Sequence, residues 1–303
     1  MKHESFATVQ RGLNRDSVPM RLFEKAKRLG VWNPADIDFS QDVIDWQTLD
    51  ERERRYMLRI TTQFQAGEEA VTLDLLPLIS AIASEGRIEE EMFLTTFLWE
   101  EAKHVDMFSR FFEAVLGGPP KDETLMTESY RTIFYDILPS TLGALRDDPS
   151  PAAQVRASAT YNMVVEGMLA ETGYHIFYNV LDKRQIGPGL REGVGKAKQD
   201  EARHIAYGVY LIARLIAADP KLMDVFQDQM STLLPIGMAL IDEAFQEFSD
   251  DIPFDLKPDD YINYSQSQFQ KRFERVQRAV GKSIEELDSA EDLFMDEEVV
   301  LAK

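Results

Sequence analysis

Along most of the chain, apolar residues recur at intervals of three and four, while alternating runs of β-branched residues are scarce. The first spacing lines one face of an α-helix and the second would mark half-buried strands, so the pattern predicts an all-helical protein. Proline and glycine fall between long periodic segments, as helices joined by short loops require. The spacing predicts helices over Val18 to Leu29, Asp50 to Ser84, Ile88 to Leu116, Glu123 to Leu145, Pro151 to Leu181, Pro188 to Ala217, Lys221 to Phe248 and Pro258 to Val280. The breaks have chemical reasons: GGPPKDE follows Leu116, DDPSP puts Pro151 at a helix start where its missing N–H costs nothing, and GPG at Gly187 to Gly189 opens the next helix. No linker divides the chain, so residues 1–280 are expected to form one helical domain and the acidic stretch 281–303 a flexible tail.

Composition narrows the chemistry. The 303 residues include 33 basic and 53 acidic side chains, a net charge of −20 that repels phosphate backbones and anionic lipid surfaces, so nucleic acid is not an expected partner. With no cysteine, disulfides, thiolate metal sites and cysteine nucleophiles are excluded, and carboxylate and imidazole remain as metal donors. The N-terminal MKHESFATVQRGLNRDSV lacks an apolar signal core, and runs such as LLPLISAIA fall far short of the roughly 20 residues that span a bilayer. A soluble, cytoplasmic protein with no membrane span is expected.

Only four histidines occur, His3, His104, His175 and His204, and two of them stand in near-copies of one phrase. WEEAKHVDMF runs from Trp99 to Phe108 and KQDEARHIAYG from Lys198 to Gly208, each with a glutamate three residues before the histidine. On a helix, residues three apart share a face with β-carbons about 5–6 Å apart, so Glu101 with His104, and Glu201 with His204, can each aim an oxygen and a nitrogen at one point. Glu68, 33 residues before Glu101, and Glu166, 35 residues before Glu201, sit on the preceding predicted helices. A glutamate followed by Glu-x-x-His, twice over, is the arrangement by which four-helix bundles hold a dinuclear iron or manganese centre. About four carboxylates would balance the charge of two divalent ions, and an ionised Glu166 among Met163, Val164, Val165, Met168 and Leu169 needs such a partner. Oxygen-rich ligation with imidazole suits manganese and iron. Asp200 is placed to accept from the far nitrogen of a ligating histidine. Glu69, Glu100 and Asp106 read as solvated or supporting groups, and His3 and His175 as ordinary residues. A single Glu-x-x-His would more often be an exposed pair, and it is the matched duplication that points to metal.

The ligand phrases, with GVWNPADIDFSQDVIDW from Gly30 to Trp46, resemble the radical-generating small subunit of ribonucleotide reductase, from about Val18 to Phe248. The phrases AGEEAVT, LTTF.WEEAKH, YN.VVEGMLA.TGY and WNPADIDF are similar to the related ligand-binding oxidases in particular. The resemblance implies an all-α, ferritin-like four-helix bundle with additional helices. It implies that Glu68, Glu101 and His104 hold one metal and Glu166, Glu201 and His204 the other, with at least one glutamate bridging, and that Trp32 passes electrons inward beside Asp200. Where the radical-storing subunits carry a tyrosine four residues after the first ligand histidine, this chain has Phe108, which has no hydroxyl proton to lose.

For the oxidases, the family implies a manganese/iron centre (di-iron being the variant), reaction with O2, a long-chain fatty acid in an apolar channel, and an ether bond between a valine and a tyrosine. The matching positions are Val71 and Tyr161, with Tyr174 a further tyrosine near the site. Val71 lies three residues after Glu68 and so shares its face. A homodimer and an electron donor of unknown identity are also implied. The alternatives are a manganese/iron ribonucleotide reductase small subunit, a ferritin-like metal store and a purely structural bundle.

Overall fold

The computed structural model describes residues 5–289, and among them there are helices but no strand. His3 and residues 290–303 of the expected acidic tail lie outside the described residues. The tail's first part forms a short helix, Ile284–Ser289, with Leu287 fully buried.

Local chemistry sets where the long helices begin and end. Asp50 accepts from the backbone of Arg52 and Glu53, and the Glu53 side chain accepts from Asp50 N–H at 3.1 Å, a reciprocal cap that starts the Glu51–Ser84 helix. Three glutamates, Glu89, Glu90 and Glu91, occupy the first turn of Ile88–Leu116, where the helix dipole favours negative charge. That helix ends at Gly117, whose φ of 75° is the left-handed conformation that lets its N–H turn back to Glu113. Ser150 caps Pro151 by accepting from Ala153 N–H.

The Glu51–Ser84 helix lies against Ile88–Leu116, and the helical run 151–184 lies against Pro188–Ala218. These two pairs form a four-helix core. Val18–Leu29 crosses Ile88–Leu116 and Pro188–Ala218 on one side, while Leu222–Gln246 and Pro258–Ala279 cover the run 151–184 on the other. Buried apolar side chains from all of these helices form one contiguous core. No described helix is long and apolar enough to cross a membrane.

Three regions depart from the expected pattern. The span Glu123 to Leu145 is not one helix. A 3-10 turn, Glu123–Leu125, is followed by a new start at Glu128, because the Thr127 side chain accepts from Tyr130 N–H. The helix then widens into a π segment, Thr132–Ile137, just before Pro139, which has no N–H for the ladder. A further helix, Ser40–Thr48, forms where none was expected; buried Asp42 anchors it by accepting from Gly189 N–H at 2.9 Å and Leu190 N–H at 2.8 Å, so it also caps the Pro188–Ala218 helix. Finally, the run 151–184 is α-helical only at its ends, Pro151–Ser158 and Glu171–Arg184; between them Ala159–Ala170 is a π-helix. That wide segment carries Tyr161, Asn162 and Glu166.

Candidate metal centre

Each helix of the core sends acid or imidazole inward at one level. Glu68 comes from Glu51–Ser84, Glu101 and His104 from Ile88–Leu116, Glu166 from the π segment, and Glu201 and His204 from Pro188–Ala218. All six are buried. Two groups of donor atoms, each within 4.8 Å of one another, can be drawn from them: Glu68, Glu101, His104 and Glu201, and then Glu101, Glu166, Glu201 and His204. Glu101 and Glu201 belong to both, so the geometry offers two shared glutamates where the resemblance implies at least one.

The imidazoles are oriented. His104 Nδ1 faces Glu68 Oε2 at 3.3 Å, Glu201 Oε1 at 3.4 Å and Glu101 Oε2 at 3.5 Å. His204 Nδ1 faces Glu101 Oε1 at 3.2 Å, Glu201 Oε2 at 3.4 Å and Glu166 Oε1 at 3.7 Å. The outward nitrogens are held from behind: His104 Nε2 by Asp200 Oδ2 at 3.3 Å, and His204 Nε2 by Glu100 Oε2 at 2.8 Å. A ring nitrogen donating to a carboxylate leaves the other nitrogen's lone pair pointing inward, as a metal ligand needs.

The supporting layer is itself paired. Buried Arg203 bridges Glu100, at 2.6 Å, and Asp200. Lys103 donates to Asp200 Oδ2 at 2.9 Å and Gly30 O at 2.7 Å, with its ammonium 4.3 Å above the Trp32 ring and 4.5 Å from that of Trp99. Trp32 Nε1 donates to Asp200 Oδ2 at 2.8 Å, and its ring stacks on His104 with centroids 6.2 Å apart. The sequence leaves Glu100 as a solvated or supporting group, and it does not single out Lys103 or Arg203. Their signal was nonetheless present: EEAKH and DEARH repeat acid, Glu, Ala, base, His position by position.

Does this donor set fit metal? Within the donor set, four buried atoms have no hydrogen-bond partner: Glu101 Oε2, Glu166 Oε1, Glu201 Oε2 and His204 Nδ1. All four belong to the inward face of the cluster, where unpaired buried lone pairs are costly and cations would satisfy them. The protonation of the metal-free cluster shows the same deficit. Burial pushes the Glu68 carboxyl up to about 8 despite His104 beside it, and burial with Glu201 pushes Glu166 well above the ordinary range. Burial opposes the charged form of Glu101 and of both histidines, but their mutual attraction outweighs it; Glu101 is held low and His104 and His204 well above 6.5. Without metal, protons do the work of balancing the carboxylates.

Around this cluster the remaining sequence-derived residues fall as follows. The Tyr161 hydroxyl donates to Glu101 Oε1 at 3.1 Å, and Asn162 donates to Glu166 Oε2 at 2.9 Å. The π register, i to i+5, sets Tyr161 nearly over Glu166, five residues on, which a regular helix would not do. Val71 is buried and lines a cavity with Glu68. Tyr174 is fully buried with its hydroxyl unpartnered and its ring 5.2 Å from Phe64. Phe108 also packs on Phe64, at 5.7 Å. His175 stacks on Tyr264 at 4.2 Å and belongs to neither donor group, whereas Asp106 pairs with Arg110 at the surface.

The cavity has about 770 Å³ of space between atoms, part of it continuous with solvent. Its walls are apolar, including Phe64, Phe134, Leu169, Ile176 and Ile241, and Glu68, Glu101, Glu166 and Glu201 line it as well. Gly173 admits the Phe64 ring, since a Cβ there would meet that ring at 2.3 Å. The result is an apolar cavity that reaches a charged cluster.

Comparison with known proteins agrees with this geometry. A profile of the ribonucleotide reductase small chain family matches residues 22–277. Among solved structures, a tyrosine-to-phenylalanine variant of an R2-like ligand-binding oxidase with aerobically reconstituted Mn/Fe cofactor is 40% identical, with a TM-score of 0.85 over 92% of this chain and 99% of that one. An R2-like ligand-binding oxidase with the same cofactor after a long soak is 38% identical, with a TM-score of 0.87 over 93% and 99%. A glycine-to-leucine variant carrying an Fe/Fe cofactor is also 38% identical, with a TM-score of 0.87 over 93% and 99%. With fold, donor set and sequence in agreement, the chain belongs to the ribonucleotide reductase small chain family, among the R2-like ligand-binding oxidases.

Proposed function

We propose that this protein is an O2-activating oxidase that holds one manganese and one iron, binds the carboxylate of a long-chain fatty acid beside them, and joins Val71 to Tyr161 through an ether bond. Glu68, Glu101, His104 and Glu201 would hold one ion, and Glu101, Glu166, Glu201 and His204 the other. When bound, the dinuclear centre supplies oxygen activation at open coordination positions. The observation that carries the reading is the apolar cavity lined by the carboxylate cluster, with Val71 on its wall and the Tyr161 hydroxyl on Glu101 Oε1.

The chain's own residues set up the chemistry. The cavity walls exclude water from the reacting C–H bond and accept an alkyl chain. Glu101 Oε1 holds the phenolic proton of Tyr161 and is the atom to which that proton first moves. Joining the two residues breaks the Val71 Cβ–H and Tyr161 O–H bonds and forms one C–O bond; two protons and two electrons leave, the electrons going to O2. Phe108, in turn, cannot divert an oxidising equivalent into a phenoxyl radical at its position.

Intact mass before and after aerobic loading with manganese and iron, read beside elemental analysis, tests the reading. A pair of hydrogens is lost and a tryptic peptide joins the Val71 and Tyr161 segments. Unchanged mass in protein that carries both metals and has consumed oxygen rejects the cross-link. The hydrogen-bonded series Trp32, Asp200, His104 also suits a radical-generating small subunit. Stable co-purification with a nucleotide-reducing large subunit would favour that second function. A homodimer and a cytoplasmic location are part of the proposal, as are residues 1–280 acting as one domain.

A further inference from the structure

One buried tyrosine has no part in the chemistry above. Tyr207 follows His204 by three residues, so it lies one turn along the same helix. Its hydroxyl donates to Glu90 Oε2 at 3.0 Å, and Glu90, only 3% exposed, is paired with Arg214 through Nε at 3.1 Å. The Tyr207 ring lies 5.2 Å from Phe93, Phe93 lies 6.1 Å from Phe97, and Phe97 lies 5.7 Å from Tyr161. Phe97 also stacks flat on His204, with centroids 3.6 Å apart and planes 16° from parallel. An aromatic column thus connects the cluster and its reactive tyrosine to a second phenol.

We propose that Tyr207 is a reserve electron donor to the centre, with Glu90 as its proton acceptor. The proposal rests on the reading of the cluster as an O2-activating centre. In the step, Tyr207 gives one electron to the oxidised dinuclear centre, which is reduced by one electron; the phenolic O–H bond breaks and its proton passes to Glu90 Oε2. The product is a neutral phenoxyl radical beside a protonated Glu90. The step operates when the Val71–Tyr161 outlet is not taken, and it draws an oxidising equivalent away from the metal ligands.

Three features favour this phenol over the others nearby. A tyrosine is readily oxidised only if its proton has somewhere to go, and a positioned acceptor must lie about 2.6–3.2 Å away. Tyr174 has no hydrogen-bond partner for its hydroxyl, and Tyr161 is the phenol committed to the ether bond. Tyr207 donates to a carboxylate outside both donor groups. Burial raises the Glu90 carboxyl above its ordinary value, which makes it the better base. Electron tunnelling weakens steeply with distance, and the column keeps packed rings between donor and centre for the whole way.

The test uses Tyr161→Phe protein, in which the ether cannot form, loaded with manganese and iron, exposed to oxygen and frozen. A phenoxyl radical signal is expected by electron paramagnetic resonance, narrowed when the protein carries ring-deuterated tyrosine. In Tyr161→Phe/Tyr207→Phe the signal falls at least tenfold with metal content and helical circular dichroism unchanged. Glu90→Gln in the same background, which keeps a hydrogen-bond acceptor but no base, also lowers the yield severalfold. If Tyr161→Phe binds both metals and consumes oxygen but shows no phenoxyl signal, or one that Tyr207→Phe leaves intact, the proposal is overturned while the oxidase reading stands. If the unmodified protein binds metal yet takes up no oxygen, both are overturned.

Discussion

Each inward histidine is braced by an acid from the opposite half of the repeat: Asp200 holds His104, and Glu100 holds His204. Arg203 ties the two acids together, so one buried cation stabilises both braces. Groups that orient a metal-ligating imidazole typically contribute 10–100-fold to affinity. Asp200→Asn should therefore weaken the ion held with His104 by roughly 10–100-fold, and Glu100→Gln should do the same to the ion held with His204. Metal titration of the apo-protein, with elemental analysis after dialysis, reads each site. Loss of both ions equally in either variant would show that the braces act on the bundle as a whole. The repeated phrase made the histidines, the glutamates and Asp200 legible in sequence. It did not show that the braces cross over, because that depends on how Ile88–Leu116 and Pro188–Ala218 face one another, and periodicity within one helix carries no such information.

At the level of elements, periodicity located helices and the chemistry of caps located their ends. Val18–Leu29 and Ile88–Leu116 begin and end where the pattern places them. The π segment Ala159–Ala170 left no such trace. Residues 159–169 are all buried, so there is no exposed face against which a change from 3.6 residues per turn could register. Its shape depends instead on what packs beside it. Gly208, four residues after His204, leaves room for Asn162, and a Cβ at Gly208 would sit 2.1 Å from the Asn162 Cβ. Asn162 in turn positions Glu166. Gly208→Ala should push Asn162 aside, destabilise the protein by about 1–3 kcal/mol as overpacking does, and lower occupancy of the ion held by Glu166. Denaturant midpoints and metal stoichiometry measure the two effects. A destabilised protein that still binds two ions fully would separate the packing of the π segment from the placing of Glu166.

For the molecule as a whole, the buried cluster couples folding, metal and pH. In the metal-free fold Glu68 keeps its proton up to about pH 8, against an ordinary value of 4.5, and burial likewise raises Glu166 well above the ordinary value. A carboxyl that holds its proton more tightly when folded favours the fold fully below the unfolded value. That contribution is lost as pH rises through the folded one. The metal-free protein should therefore lose stability between about pH 4.5 and 8 on account of Glu68, with Glu166 adding a loss of the same sign. Divalent ions displace these protons, so metal uptake at neutral pH should release protons and its affinity should rise with pH across the same window. Calorimetric titration in two buffers of different ionisation enthalpy counts the protons released, and Glu68→Gln should release fewer. Binding to the folded state alone also stabilises it by mass action, by about 2.7 kcal/mol at a free metal concentration one hundred times the dissociation constant. A chelator should thus lower the melting temperature most at alkaline pH, where the metal-free cluster has the fewest protons to balance its charge. Equal losses at pH 6 and pH 8 would mean that the carboxylates are neutralised by something other than protons and ions.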